Sequence, residues 1–142
     1  MAAYDRSAIL RRAAQLLRER AEPIARLMVA EQGKPLAEAK GEVIGSADHI
    51  DWAAEEGRRL YGRVIPARAP GVLQIARKEA IGPVAGFSPW NFPVSQAVRK
   101  IAGALGAGCT IVVKCPEETP YSCVGMVRCF ADAGGPAGGV KL

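Results

Sequence analysis

The chain has 142 residues, 49% of them hydrophobic, which is enough to bury one core of ordinary domain size. Lys and Arg exceed Asp and Glu by 19 − 14 = 5. However, Arg6, Arg11, Arg12, Arg18 and Arg20 are interrupted by Asp5, Glu19 and Glu22, the pattern of a solvated helix face rather than of a nucleic-acid patch. "MAAYDRSAIL" lacks the apolar run of a signal peptide and no stretch of about 18 apolar residues suggests a membrane span, so the expectation is a soluble, cytoplasmic protein with no nucleic-acid and no membrane partner.

In chain order, Ile9, Leu10, Ala13, Leu16 and Leu17 fall at i, i+1, i+4, i+7 and i+8, and predict an amphipathic helix over residues 5 to 20 with Asp5 as its N-cap. Pro23 suits the first turn of a second helix that buries Ile24, Leu27 and Met28 and stops at Gly33, with "GKP" as the turn. From Pro35 a longer helix follows, "LAEAKGEVIGSADHIDWAAEEGRRLYG". Gly41 and Gly45 weaken it by about 1 kcal/mol each relative to Ala, and their small size offers room for another segment to approach.

The pattern changes after Tyr61. "RVIPARAPGVLQIARKEAIG" carries β-branched residues and prolines at breaks, and the alternation of Val72, Gln74, Ala76 and Lys78 against Leu73, Ile75, Arg77 and Glu79 predicts one or two strands. "PVAGF" and "TIVVK" read as short buried strands. Each precedes a helix opened by proline, "PVSQAVRKIAGALGAG" and "PYSCVGMVRCFADAGG". Strand, helix, strand, helix with short connections predicts an α/β fold with a parallel sheet and right-handed crossovers. The organisation expected is an N-terminal helical segment over 1–62, connecting strands over 63–80 and strand–helix units over 81–142. Such sheets bind ligands beyond the carboxyl ends of their strands, so "SPWNFP" and "KCPEETP" are expected to lie side by side at a binding edge.

Several motifs carry possible chemistry. "GALGAG" is not a dinucleotide fingerprint, because its glycines close a helix and precede a strand; helix termination and tight helix-to-sheet packing are the expected roles. Asn91 offers two N–H donors and no charge, suited to a developing oxyanion, although an Asn in a Pro-rich loop is more often a turn residue. Lys114 and Glu117, three residues apart at a strand end, can address a sugar, with Lys donating to hydroxyls and Glu accepting from two neighbouring ones; the alternative is an ordinary loop ion pair. Cys109, Cys115, Cys123 and Cys129 show no CxxC spacing and His49 is distant in sequence, so no metal site is expected and the cysteines read as free thiols in a reducing compartment.

Together, "GPVAGFSPWNFP" and "RKIAGALGAGCTIVVKCPEETP" resemble the NAD(P)-dependent aldehyde dehydrogenase superfamily, with its Pro-Trp-Asn-Phe-Pro segment and its Lys-Pro-x-Glu-x-Thr-Pro segment after a strand. "EQGKPLAEAKGEV" and "DWAAEEGRRLYGRVIP" look like that family's N-terminal helices, most like those of the succinate-semialdehyde dehydrogenases. The resemblance implies N-terminal helices followed by the first, incomplete part of a Rossmann-like parallel sheet, with 81–142 as the first units of the NAD-binding domain. It implies a small (semi)aldehyde substrate, a homo-oligomeric full-length enzyme, and roles for matching residues: Asn91 in the oxyanion hole, Trp90 and the Ser88 backbone against the cofactor, Phe92 in the aldehyde tunnel, and Lys114 and Glu117 on the adenosine ribose. A carboxylate at the 2′ and 3′ hydroxyls opposes an added phosphate, so NAD is expected, with NADP less favoured.

Three positions depart from the pattern: Cys115 and Gly103 stand where Pro is frequent, and Gly135 where Leu is, which is expected to reduce packing at a helix end. No residue matches the family's nucleophilic Cys, general-base Glu or pyrophosphate-binding glycine turn, so the chain reads as an N-terminal fragment, inactive by itself. The rival readings are a truncated non-catalytic product with at most weak nucleotide or subunit binding, a basic helical nucleic-acid module using Arg6 to Arg26, and a CoA-acylating member of the same superfamily. Unpaired sheet edges predict poor solubility of the isolated chain.

Overall fold

The computed structural model describes residues 1–142. Helices α1 (Ala3–Glu19), α2 (Ala21–Gln32) and α3 (Leu36–Glu56) come first, and a short 3-10 turn, Gly57–Arg59, closes α3. Strands β1 (Arg63–Ile65) and β2 (Gln74–Ala76) follow, then β3 (Val84–Phe87), α4 (Pro93–Gly106), β4 (Ile111–Lys114), α5 (Pro120–Asp132) and β5 (Val140–Lys141). β1 and β2 form an antiparallel hairpin, while β3, β4 and β5 form a parallel sheet in that order.

α1 packs through Leu10, Ala13, Leu16 and Leu17 of the predicted stripe together with Ala14, while Ile9 is only partly buried. It begins two residues earlier than expected, at Ala3, with Ala2 rather than Asp5 as N-cap. Asp5 lies instead in the first turn, where its charge favours the positive end of the helix dipole. α2 buries Ile24 and Met28 but leaves Leu27 41% exposed, and ends at Gly33 in the left-handed region (φ 76°). Several basic residues of this stretch are ion-paired rather than merely solvated: Arg11 meets Glu55, Arg18 lies 2.7 Å from both Asp48 and Asp51 on α3, and Arg20, just past α1, lies 2.5 Å from Asp132 on α5.

No segment approaches Gly41 or Gly45, contrary to the expectation from their size. The close approach lies further along, where the end of α3 meets the end of α4. A Cβ on Gly57 would lie 2.8 Å from the Gly106 carbonyl oxygen, and one on Gly106 would lie 2.9 Å from that of Ala53. The "GALGAG" glycines thus serve helix termination and tight packing, but the packing is helix against helix. Gly135 likewise has a positive reason for its size: its N–H donates to the Phe130 carbonyl, and a Cβ there would sit 2.7 Å from that oxygen.

One apolar cluster joins α1, α2 and α3 to α4, α5 and the inward residues of β4, with Leu17, Met28, Ile50, Val98, Ile101, Ile111 and Met126 all inaccessible or nearly so. Each such large side chain contributes about 1.5–3 kcal/mol relative to exposure. β4 alternates, with Ile111 and Val113 buried and Val112 and Lys114 exposed, and in β3 only Gly86 is buried. The expectation of two buried strands therefore needs correction, because these helices cover a single face of the sheet. β1 and β2 stand outside the core, with Val64, Leu73 and Ile75 mostly exposed on the hairpin and its approach.

Candidate functional site

β3 and β4 run parallel, with Phe87 opposite Lys114. The Ser88 N–H donates to the Lys114 carbonyl at 3.2 Å, extending the pairing one residue past β3. The two following loops, Ser88–Phe92 and Cys115–Thr119, therefore leave the same edge of the sheet side by side, as the strand–helix order predicted.

In the first loop, Ser88 is half-buried and its hydroxyl has no partner. Trp90 and Phe92 are 53% and 47% exposed, although large aromatic side chains normally favour burial. Asn91 is exposed between them. Its carbonyl is held from α2 and the turn after it: Gln32 Nε2 donates to the Trp90 and Asn91 carbonyls at 2.9 Å each, and Lys34 Nζ donates to the Asn91 carbonyl at 3.2 Å. The backbone is thus fixed while the side-chain amide makes no hydrogen bond within the chain, an arrangement that leaves two donors available to an external oxygen.

In the second loop, Lys114 Nζ and Glu117 Oε1 are 3.0 Å apart, with side chains 56% and 83% exposed. The hydrogen bond from Lys114, with its positive charge, holds the Glu117 carboxyl below its ordinary range. One ammonium that donates and one ionised carboxylate that accepts thus stand together at a strand end, a pair able to hydrogen-bond neighbouring hydroxyls. The same pair bears on cofactor choice. The neighbouring ammonium offsets the carboxylate's repulsion of an added phosphate and can itself donate to it, so the preference for NAD over NADP inferred from Glu117 alone does not follow.

The cysteines depart from the free-thiol expectation. Cys115 and Cys123 are joined by a disulfide, with Cα atoms 6.4 Å apart, because the first turn of α5 carries Cys123 back over the residue that follows β4. Cys109 and Cys129 are free and buried, and burial pushes the Cys129 thiol up. His49 lies on the exposed side of α3, its Nδ1 2.9 Å from the Gly45 carbonyl.

Sequence reasoning missed a set of side chains behind the loops. Glu42 Oε1 accepts from the Val94 and Ser95 N–H groups at 3.1 Å each, and Glu31 accepts from those of Tyr121 and Ser122. Neither α4 nor α5 has a side-chain cap from its own N-cap residue. Each is capped by a carboxylate from the N-terminal helices, which satisfies donors that Pro93 and Pro120 leave open after the first position. A signal existed for Glu42: it stands three residues after buried Ala39 and four before buried Ser46, on the inward row of α3.

A parallel α/β sheet with an ion pair and an amide-bearing loop side by side at the carboxyl ends of its strands defines an α/β fold of the kind that binds ligands at that edge. The sequence matches the aldehyde dehydrogenase family over residues 1–142, and the chain belongs to that family. It is 54% identical over 128 residues, 90% of this chain and 27% of the relative, to the 4-(hydroxymethyl)benzenesulfonate dehydrogenase of Comamonas testosteroni. It is 46% identical over 138 residues, 97% of this chain and 29% of the relative, to the NADP(+) succinate-semialdehyde dehydrogenase of Escherichia coli. The crystal structure of succinate-semialdehyde dehydrogenase from Burkholderia pseudomallei superposes with a TM-score of 0.96 at 44% identity, covering 99% of this chain and 29% of that one. The chain thus spans between a quarter and a third of the length of these proteins, and its fold is that of their N-terminal part. An NADP(+) enzyme among them is a further reason not to rank NADP below NAD. No helix is long and apolar enough to cross a membrane.

Proposed function

We propose that these residues form the N-terminal, cofactor-facing part of an NAD(P)-dependent enzyme that oxidises a small semialdehyde to its carboxylic acid. The supporting observation is the pairing of β3 with β4, which sets the Asn91 loop beside Lys114 and Glu117. Likeness to succinate-semialdehyde dehydrogenases over 97% of the chain supports the substrate class.

In this reading Lys114 donates to the ribose hydroxyls and Glu117 accepts from them. Trp90 and the Ser88 backbone lie against the cofactor, and Phe92 lines the aldehyde's path. The bound nicotinamide supplies a hydride acceptor. The Asn91 amide donates to the aldehyde oxygen as that oxygen gains charge, a stabilisation worth about 3 kcal/mol in comparable sites. The attacking thiolate comes from none of the four cysteines, since Cys109 and Cys129 are buried and Cys115 and Cys123 are paired. These residues alone therefore carry binding without turnover, the second reading that a specific observation favours.

Calorimetric titration of the 142-residue chain with NAD+ and with NADP+, using Glu117→Ala as control, tests the binding half. Saturable binding by the parent chain that is lost in the variant is expected. Equal binding by both chains would remove the ribose assignment. Aldehyde-dependent reduction of NAD+ or NADP+ by the full-length polypeptide, with succinate semialdehyde as probe, tests the reaction; its absence in a folded, cofactor-bound protein would end that reading.

A further inference from the structure

We propose that Lys34 and Glu42 are positioning residues for the Asn91 amide. The inference deepens the function proposed above and rests on Asn91 being the oxyanion donor. Lys34 Nζ lies 2.6 Å from Glu42 Oε2, and the two side chains are only 10% and 3% exposed. This is the one ion pair of the chain in which both partners are so enclosed.

The two side chains grip the segment from Asn91 to the start of α4 at both of its ends. Upstream, the Lys34 ammonium donates to the Asn91 carbonyl at 3.2 Å and stands 4.1 Å from the centre of the Phe92 ring. Its three N–H bonds thus have three partners: a carboxylate, a carbonyl and an aromatic face. Downstream, the second oxygen of the same carboxylate accepts from Val94 and Ser95 at the start of α4. Between these two grips, at the Asn91 carbonyl and the Val94 N–H, lie only Phe92 and Pro93. The pair therefore fixes the peptide that carries the amide without touching the amide itself.

Stability alone does not account for such a pair. An enclosed ion pair loses much hydration, and apolar replacements of similar volume are often as stable or more so. A donor that must meet an oxygen developing charge does need tight placement, since a displacement of about 1 Å can cost about a hundredfold in rate. The Lys114 and Glu117 loop has its own supports, so the ribose contacts do not depend on Lys34 or Glu42, and cofactor affinity should feel their loss only through Trp90.

The test is the double variant Lys34→Met/Glu42→Gln in the full-length polypeptide. The Gln carbonyl still accepts from Val94 and Ser95, so the fold is kept while the charges and the Lys34 bond to Asn91 are removed. We expect a KM for NAD+ or NADP+ that changes far less than kcat, a kcat for succinate semialdehyde lower by about a hundredfold, and faster amide hydrogen exchange across residues 91–93. An unchanged kcat, or an unchanged exchange rate, overturns the proposal. If the double variant does not fold, Lys34→Arg, which keeps the charge but alters the reach, is judged by the same two readouts. Asn91→Ala run alongside separates the two ideas: if it keeps full kcat, the oxyanion reading falls, and the exchange rates alone then decide whether Lys34 and Glu42 hold the loop.

Discussion

The loop after β3 is held by side chains 57 to 59 residues earlier in the chain, whereas the loop after β4 is held by pairs three and eight residues apart. In the first, Lys34 is enclosed and the supports grip backbone carbonyls, leaving the Asn91 and Trp90 side chains free at the surface and Phe92 half-exposed against Lys34. In the second, the Lys114–Glu117 pair is itself exposed and its side chains support one another. The contrast suits two tasks. A donor to a reacting oxygen needs a fixed origin and a free tip, while groups that meet a sugar can exchange one hydrogen-bond partner for another as it binds.

Breaking the first loop's support should have the largest effect. Glu42→Ala strands the Lys34 ammonium and uncaps α4, and should lower unfolding free energy by about 3–5 kcal/mol in a urea titration; a loss below 1 kcal/mol would mean that the enclosure counts for little. Next, Asn91→Ala should leave the urea midpoint in place, because the side chain is exposed and unbonded, and should lower kcat of the full enzyme by about 10²–10³-fold. Glu31→Ala, which removes only the cap of α5, should cost about 1 kcal/mol by the same titration and leave kcat nearly unchanged.

The smallest expected effect is one of pH. The Glu117 carboxyl is lowered in the folded chain by its Lys114 partner, so its contribution is present above the ordinary carboxylate range and fades only as pH falls through the lower, folded value. Being exposed, it should barely move stability. Cofactor affinity followed by calorimetry should instead stay level as pH falls through about 4.3, the ordinary Glu value, and Lys114→Met should bring the decline to higher pH. An identical pH profile in the two proteins would remove the pairing as its cause.

Much of this contrast was legible in the sequence, and on one side only. Pro93 and Pro120 mark helix starts, β-branched runs mark β3 and β4, and strand–helix order places their loops together. What "EQGKP" does was not legible, because a turn sequence reports its own backbone and not the loop carbonyls and helix N-terminus that its side chains reach 57 to 91 residues later. The Cys115–Cys123 bridge was missed for a similar reason: spacing alone does not say that a helix start folds one cysteine over another. β5, only two residues long, is too short for alternation to register. The burial of the strands was overestimated because an apolar run does not say how many of its faces will be covered.

The glycine approach between α3 and α4 has a mechanical meaning. α3 and the turn that closes it meet α4 at Glu42 near one end and at Gly57 and Gly106 near the other, so α4 is anchored at both tips, like a beam on two supports. The anchor points are 57 − 42 = 15 residues apart on one helix and 106 − 94 = 12 on the other, roughly 22 and 18 Å at the helical rise. A rod held that way can bow but cannot slide or pivot. A side chain added at Gly106 would press on the Ala53 carbonyl and remove that support, leaving α4 held at one tip and free to pivot there, beside the loop that carries Asn91.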